Sequence, residues 1–105
     1  NLGITFKENC PDVRNTKAAD VVTNLESYSL DVITYDPWAN PEEVEHEYNV
    51  NFTTSLNSIK ETRFDAIVLT VAHQEFLDLD LSMYLNDNGV IYDVKGILEN
   101  FDGRL

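Results

Sequence analysis

The chain has 105 residues, 43% of them hydrophobic and including five Phe, five Tyr and one Trp, which is enough for one domain with a real core and too little for two. A formal charge of −12 argues against an exposed nucleic-acid or membrane surface, because Lys and Arg do most of the work of holding such partners. The single Cys10 excludes an intramolecular disulfide framework and points to the cytosol, while one Cys and two scattered His make no zinc cluster of recognisable spacing.

Charge is unevenly spread. Residues 1–17 carry a net +1 through Lys7, Arg14 and Lys17, against a net −13 for the remainder, so a small basic island stands in an acidic chain. No charged leader precedes an apolar core, and no apolar run approaches the ~20 residues that a bilayer span requires. Asn1, rather than Met, leads almost at once into a strand-like run, so a piece of a longer chain is expected.

Leu2 to Phe6 reads as a short buried strand, followed by a loop from Lys7 to Asn15. Ala18, Val21, Val22, Leu25 and Tyr28 then recur at helical spacing, with Asn15 or Thr16 placed to cap the helix start. Leu30 to Tyr35 is rich in β-branched and aromatic residues and ends at Asp36-Pro37, which stops a strand and opens a turn. Asn40-Pro41-Glu42-Glu43 is a helix start, with Asn40 as N-cap, Pro41 in the first turn and Glu43 completing a capping box; the helix should run to about Tyr48. Val50 to Thr53 is a weak strand, and Ser55 to about Glu61 a short helix capped by Ser55. Asp65 to Ala72 is an almost unbroken apolar run, as expected of a central parallel strand covered on both faces. A short helix over Ser82 to Asn86 follows Asp80, Asn88-Gly89 turns the chain into a last strand from Val90 to Asp93, and the tail beyond Leu98 has no clear periodicity.

Strands alternating with helices at crossover-length intervals predict an α/β three-layer sandwich around a five-stranded parallel sheet, Rossmann-like in winding, with strand order 3-2-1-4-5. Ligands bind such sheets outside the carboxyl ends of the strands. Here those ends are Phe6-Lys7, Thr70 to His73 and Asp93 to Lys95, so Lys7, Arg14 and Lys95 are expected at one edge, where they suit an anion.

The dinucleotide fingerprint is absent, since Lys-Glu-Asn-Cys-Pro-Asp follows the first strand with no glycines to admit a pyrophosphate. A receiver domain fits the size and acidity and the lysine after the fifth strand. It fails at the first strand, where Lys7 would repel the magnesium that paired carboxylates must hold, and the third strand lacks an Asp to phosphorylate. Asp36 reads as a turn residue and is left out of the site. Cys10, near two cations, invites a nucleophile reading with His73 as base, but one Cys before a Pro is a weak signal. His46 reads as a solvated residue of a surface helix. For His73 two readings stay open: a strand-end imidazole bonded to backbone, or a ligand contact.

Gly3-Ile4-Thr5-Phe6-Lys7-Glu8-Asn9-Cys10-Pro11-Asp12-Val13-Arg14-Asn15-Thr16-Lys17 resembles the opening of the C-terminal domain of the UDP-glucose/GDP-mannose dehydrogenase family. Tyr35-Asp36-Pro37-Trp38-Ala39, Val71-Ala72-His73-Gln74-Glu75-Phe76 and Ile91-Tyr92-Asp93-Val94-Lys95-Gly96-Ile97-Leu98 follow in the family's order. The Phe-Lys-Glu-Asn-Cys-Pro-Asp wording is most similar to the branch oxidising UDP-N-acetylhexosamines, UDP-N-acetylmannosamine above all.

The resemblance implies that residues 1–105 are the UDP-sugar-binding domain of an enzyme that oxidises a sugar C6 alcohol to a carboxylate in two NAD-dependent steps, through a cysteine-bound intermediate. It also implies that the NAD domain, the dimerising helices and the catalytic cysteine precede this segment, so the domain is inactive alone and Cys10 is not the nucleophile. Phe6 and Lys7 are then substrate contacts, with Lys95 a further cation for the substrate, and Arg14 reaches the NAD across a cleft. Asp93-Val94-Lys95-Gly96 departs from the glucose-oxidising branch, where an Arg pair is expected after the Asp. The full protein is expected to be a homodimer or larger. The same domain from a UDP-glucose 6-dehydrogenase is one alternative, and a stand-alone nucleotide-responsive regulatory module is another.

Overall fold

A computed structural model of the chain describes residues 1–104. Helices α1 (Ala18–Ser27), α2 (Pro41–Glu47) and α3 (Gln74–Leu77) alternate with strands β1 (Thr34–Tyr35), β2 (Phe52–Thr53), β3 (Phe64–Leu69), β4 (Leu85–Asp93) and β5 (Gly103–Arg104). All strand pairing is parallel. The chain is therefore mixed α/β, as the alternation requires.

The five-stranded sheet in the order 3-2-1-4-5 does not form. β1 and β2 make a two-stranded ladder, and β3, β4 and β5 a three-stranded one. The cause lies in the first segment, where pairing is confined to bridges at Leu2, to Tyr35 on one side and Leu69 on the other, made by backbone bonds of Asn1, Leu2 and Gly3. Gly3 then turns the backbone to φ +101°, a region that strongly favours glycine, and a Cβ there would stand 2.5 Å from Cβ of Val71. The next two N–H groups, of Ile4 and Thr5, donate to the Asp36 carboxylate instead of to a neighbouring strand. A side chain thus takes the bonds that a central strand would have made.

The expectation that the apolar run after Asp65 is covered on both faces also fails. Ile67 and Leu69 of β3 and Ile91 and Asp93 of β4 are buried, whereas Ala66, Val90 and Tyr92 are exposed, so one face of this ladder packs and the other is open. The buried face joins Leu2, Tyr35, Ile59, Phe76 and Leu81 in one apolar cluster. A second cluster gathers Ile4, Val13, Ala19, Ala39 and Val44, tying the first loop to α1 and α2.

Local signals fare better where one residue acts on its near neighbours. Asn40 caps α2 by accepting from the N–H groups of Glu42 and Glu43, with Pro41 in the first turn. At α1 the N-cap is Lys17, with no side-chain capping bond, and neither Asn15 nor Thr16; Thr16 Oγ1 still accepts from Ala18 N–H, and Tyr28 lies past that helix and is exposed. The two short helices expected after Ser55 and Asp80 are 3-10 turns over Leu56–Ser58 and Leu81–Tyr84. Asn88-Gly89 lies inside β4: Phe64 pairs with Leu85 but Ala66 with Val90, so residues 86–89 bulge out of the ladder.

Candidate functional site

The basic loop closes on itself where Phe6 N–H donates to the carbonyl of Asp12 at 2.6 Å. Val13, just past that neck, is fully buried, and its carbonyl accepts from the Tyr48 hydroxyl at 2.6 Å. Between these anchors the loop turns through Asn9 at φ +54°, a left-handed conformation that Asn tolerates better than most residues. Phe6, Lys7 and Glu8 are exposed, Phe6 to 58%.

Beneath the loop, Asp36 and His73 are both fully buried. Asp36 Oδ2 accepts from the N–H groups of Ile4 at 2.8 Å and Thr5 at 3.2 Å, and Oδ1 from those of Trp38 at 2.7 Å and Ala39 at 3.0 Å. His73 Nε2 adds a fifth donor to Oδ2 at 2.9 Å. Burial by itself pushes the Asp36 carboxyl up, but the hydrogen bonds from His73 and from the backbone of Ile4 and Trp38 outweigh it and hold the group below its ordinary value. The carboxylate is fully solvated by protein, which is the condition for burying it.

The His73 bonds select one tautomer. Asn9 N–H donates to Nδ1 at 2.9 Å, so Nδ1 is unprotonated, and Nε2 bears the proton it shares between Asp36 and the Thr5 hydroxyl at 3.0 Å. The Thr5 hydroxyl donates its own proton to the carbonyl of Lys7 at 2.9 Å. Trp38 stacks on the imidazole with centroids 6.2 Å apart, and Phe76 meets it edge-on at 5.3 Å. The reading of a strand-end imidazole bonded to backbone is met by the bond from Asn9 N–H. Neither nitrogen bonds Cys10, which is a half-buried free thiol.

Arg14 belongs to a different arrangement. It is exposed and forks onto the Asp12 carboxylate through Nε at 3.1 Å and Nη2 at 3.2 Å, while its own N–H donates to Oδ1 at 2.9 Å. The Arg14 side chain and backbone hold the Asp12 carboxyl below its ordinary value, and the guanidinium is raised in return, chiefly by its bond to Asp12 and then by nearby charge including Glu43 and Glu47. Lys95 stands on a third support. Buried Asp93, at the carboxyl end of β4, accepts from the N–H groups of Lys95, Gly96 and Leu98, building a turn that leaves Lys95 exposed.

Phe6 and Lys7 are therefore brought to the carboxyl ends of β1 and β3, and Lys95 follows the carboxyl end of β4 beside β3, where Val94 N–H donates to Leu69. Each of the three cations has its own support: the Thr5 hydroxyl beneath the Lys7 carbonyl, Asp12 at Arg14, and Asp93 at Lys95. A groove of about 740 Å³ lies at the opposite, amino-terminal ends of the strands, lined by residues such as Leu2, Ile33, Phe64, Leu79 and Tyr84, and none of these three cations lines it. Asp36 stands outside the set of site residues that the sequence suggests. It is a turn residue, as read, but it also holds the loop. An acid at a strand end with a strand-end histidine elsewhere in the chain was the one available signal.

The model of the UDP-glucose/GDP-mannose dehydrogenase family, UDP binding domain, matches residues 1–100. A UDP-N-acetyl-D-glucosamine 6-dehydrogenase of Salmonella typhi is 43% identical over 109 residues, covering 99% of this chain and 25% of that protein. The Pseudomonas aeruginosa protein of the same name is 39% identical, over 93% of this chain and 23% of its own length. A UDP-N-acetyl-D-mannosamine dehydrogenase of Methanocaldococcus jannaschii is 31% identical, over 92% of this chain and 22% of its own length. The chain thus spans about a quarter of the length of these curated relatives. No helix among the described residues is long and apolar enough to cross a membrane.

Proposed function

Because this chain belongs to the UDP-glucose/GDP-mannose dehydrogenase family, over the stretch that is its UDP binding domain, we propose that residues 1–105 hold the nucleotide end of a UDP-sugar within an NAD-dependent sugar 6-dehydrogenase. The observation that carries this reading is the Phe6-Lys7 pair, an exposed ring and an exposed ammonium on a loop whose backbone is fixed from beneath. A lysine is a compact donor for phosphate oxygens, and an aromatic ring offers a face to a base or sugar. Lys95 adds a second cation at the same end of the strands.

Arg14 is assigned to the NAD. A guanidinium fork already matched to a carboxylate fits a phosphate of the cofactor equally well. This chain has no glycine-rich cradle for a dinucleotide, so the body of the cofactor is held by the rest of the longer protein. NAD, when bound there, accepts hydride from the sugar C6. The role of residues 1–105 is to bind and orient, and none of them is assigned to catalysis, so the domain by itself is inactive. The whole protein is a cytosolic homodimer or larger assembly in this reading.

The substrate proposed is a UDP-N-acetylhexosamine. The relatives named for UDP-N-acetyl-D-glucosamine share 43% and 39% identity with the chain, against 31% for one named for the mannosamine, which favours the glucosamine. NADH production by the full-length protein, with UDP-N-acetylglucosamine, UDP-N-acetylmannosamine and UDP-glucose compared, tests this. The expected ranking places the two hexosamines above UDP-glucose. Turnover by residues 1–105 alone, or a preference for UDP-glucose, overturns it.

A further inference from the structure

The buried imidazole of His73 has no part in the reading above, yet the loop that carries Phe6 and Lys7 is built around it. Three links join them. Asn9 N–H ends on Nδ1 at 2.9 Å, the Asn9 side chain accepts from Gln74 N–H at 3.2 Å, and the Thr5 hydroxyl passes from Nε2 to the carbonyl of Lys7. The ring is fully buried and held between Trp38 and Phe76. A half-turn of the ring about Cβ–Cγ would put Cδ2–H where Nδ1 accepts from Asn9 and Cε1–H where Nε2 meets Asp36, so both bonds oppose it.

We propose that His73 is a positioning residue for nucleoside-diphosphate binding: its unprotonated Nδ1, by accepting from Asn9 N–H, sets the height and direction of the Phe6–Asn9 turn and so presents Lys7 to the pyrophosphate. The inference rests on the proposed role of Lys7 in UDP-sugar binding. Its physical basis is preorganisation. A loop already fixed in its bound form loses less conformational freedom when the ligand arrives, and releasing the turn returns that cost to the binding equilibrium.

Two isosteric variants separate the two ends of the ring. In His73→Asn the amide oxygen can take the place of Nδ1 and keep the Asn9 bond, while the donor to Asp36 is lost. In His73→Gln the amide nitrogen can take the place of Nε2 and keep the Asp36 bond, while Asn9 N–H loses its partner. Stability should fall further in His73→Asn, because a fully buried carboxylate loses a donor, whereas the Asn9 N–H bond is only part-buried. Affinity should fall in the opposite order. In the full-length protein, KM for the UDP-sugar should rise about 3- to 10-fold in His73→Gln, as for one lost hydrogen bond, with kcat nearly unchanged, and should stay within about twofold of the parent in His73→Asn.

If KM follows stability instead, rising at least as much in His73→Asn as in His73→Gln, His73 is only a packing residue and the proposal is overturned. Should either variant fail to fold, nitrogen-15 resonances of the imidazole in the parent protein still decide: an unprotonated Nδ1 supports the proposal, and a protonated Nδ1 overturns it. Lys7→Ala serves as the control. A KM that it leaves unmoved overturns the underlying UDP-sugar reading, and a KM that it raises while the His73 pair follows stability overturns this inference alone.

Discussion

The two ends of the basic loop are held in opposite ways. At the Lys7 end, the backbone rests on buried groups just past β1 and just before α3, and the side chain is left exposed. At the Arg14 end, the side chain itself is engaged, but only by a carboxylate two residues away on the surface. The first arrangement fixes a position and leaves the charge available. The second supplies a ready-made fork but places a competing anion in it, so a ligand must displace Asp12 or share Arg14 with it. One loop thus joins a free cation on a fixed backbone to a cation already paired with a carboxylate.

The largest effect should come from removing the support at the Lys7 end. Asp36→Ala leaves five donors without their acceptor, and at about 1–3 kcal/mol for each buried group left unpaired, even partial rehydration implies a loss of about 4 kcal/mol or more. Set against the ~5–15 kcal/mol by which a domain is usually stable, urea unfolding of this variant should show a fold close to collapse. A loss of about 1 kcal/mol or less would mean that the loop stands without its aspartate and that the two ends do not differ.

Acid should expose the same difference more gently. The folded Asp36 carboxyl lies below its ordinary value of 3.8, so its contribution is fully present above that pH and is lost as the pH falls through the lower folded value. Melting temperatures measured from about pH 5 down to about pH 2 should decline more steeply in the parent than in Asp36→Asn, which has no carboxyl there to protonate.

Ligand binding should divide along the same line. Lys7→Ala in the full-length protein should raise KM for the UDP-sugar about tenfold, as expected for losing a charge-assisted contact, without shifting the melting temperature of a side chain that supports nothing. The smallest change is expected at the other end. Asp12→Asn frees Arg14 from its ion pair, and because exposed pairs contribute little, unfolding should be almost unaffected while KM for NAD falls slightly. A rise in KM for NAD would mean that Asp12 orients the guanidinium and does not compete for it.

Much of this was legible residue by residue. The capped start of α2 at Asn40-Pro41, the existence of a helix after Thr16 and of a strand in the apolar run after Asp65, and the exposed cations of the first loop all depend on neighbours within a few positions, although β3 ends at Leu69 and not at Ala72. Family wording in the first loop named the class of ligand in the same way, because it too is a local pattern.

Long-range competition for backbone hydrogen bonds was not legible. Leu2 to Phe6 has the composition of a strand, and only the folded chain reveals that Gly3 turns away and that Asp36, more than thirty residues later, takes the N–H groups of Ile4 and Thr5. That one substitution of a carboxylate for a neighbouring strand leaves two parallel ladders where one sheet was expected, and it ties the Lys7 loop to its support. Composition and spacing determined which residues could bind an anion. Tertiary structure decided which of them is held ready, because the buried donors and acceptors that hold a loop come from segments whose meeting no local pattern records.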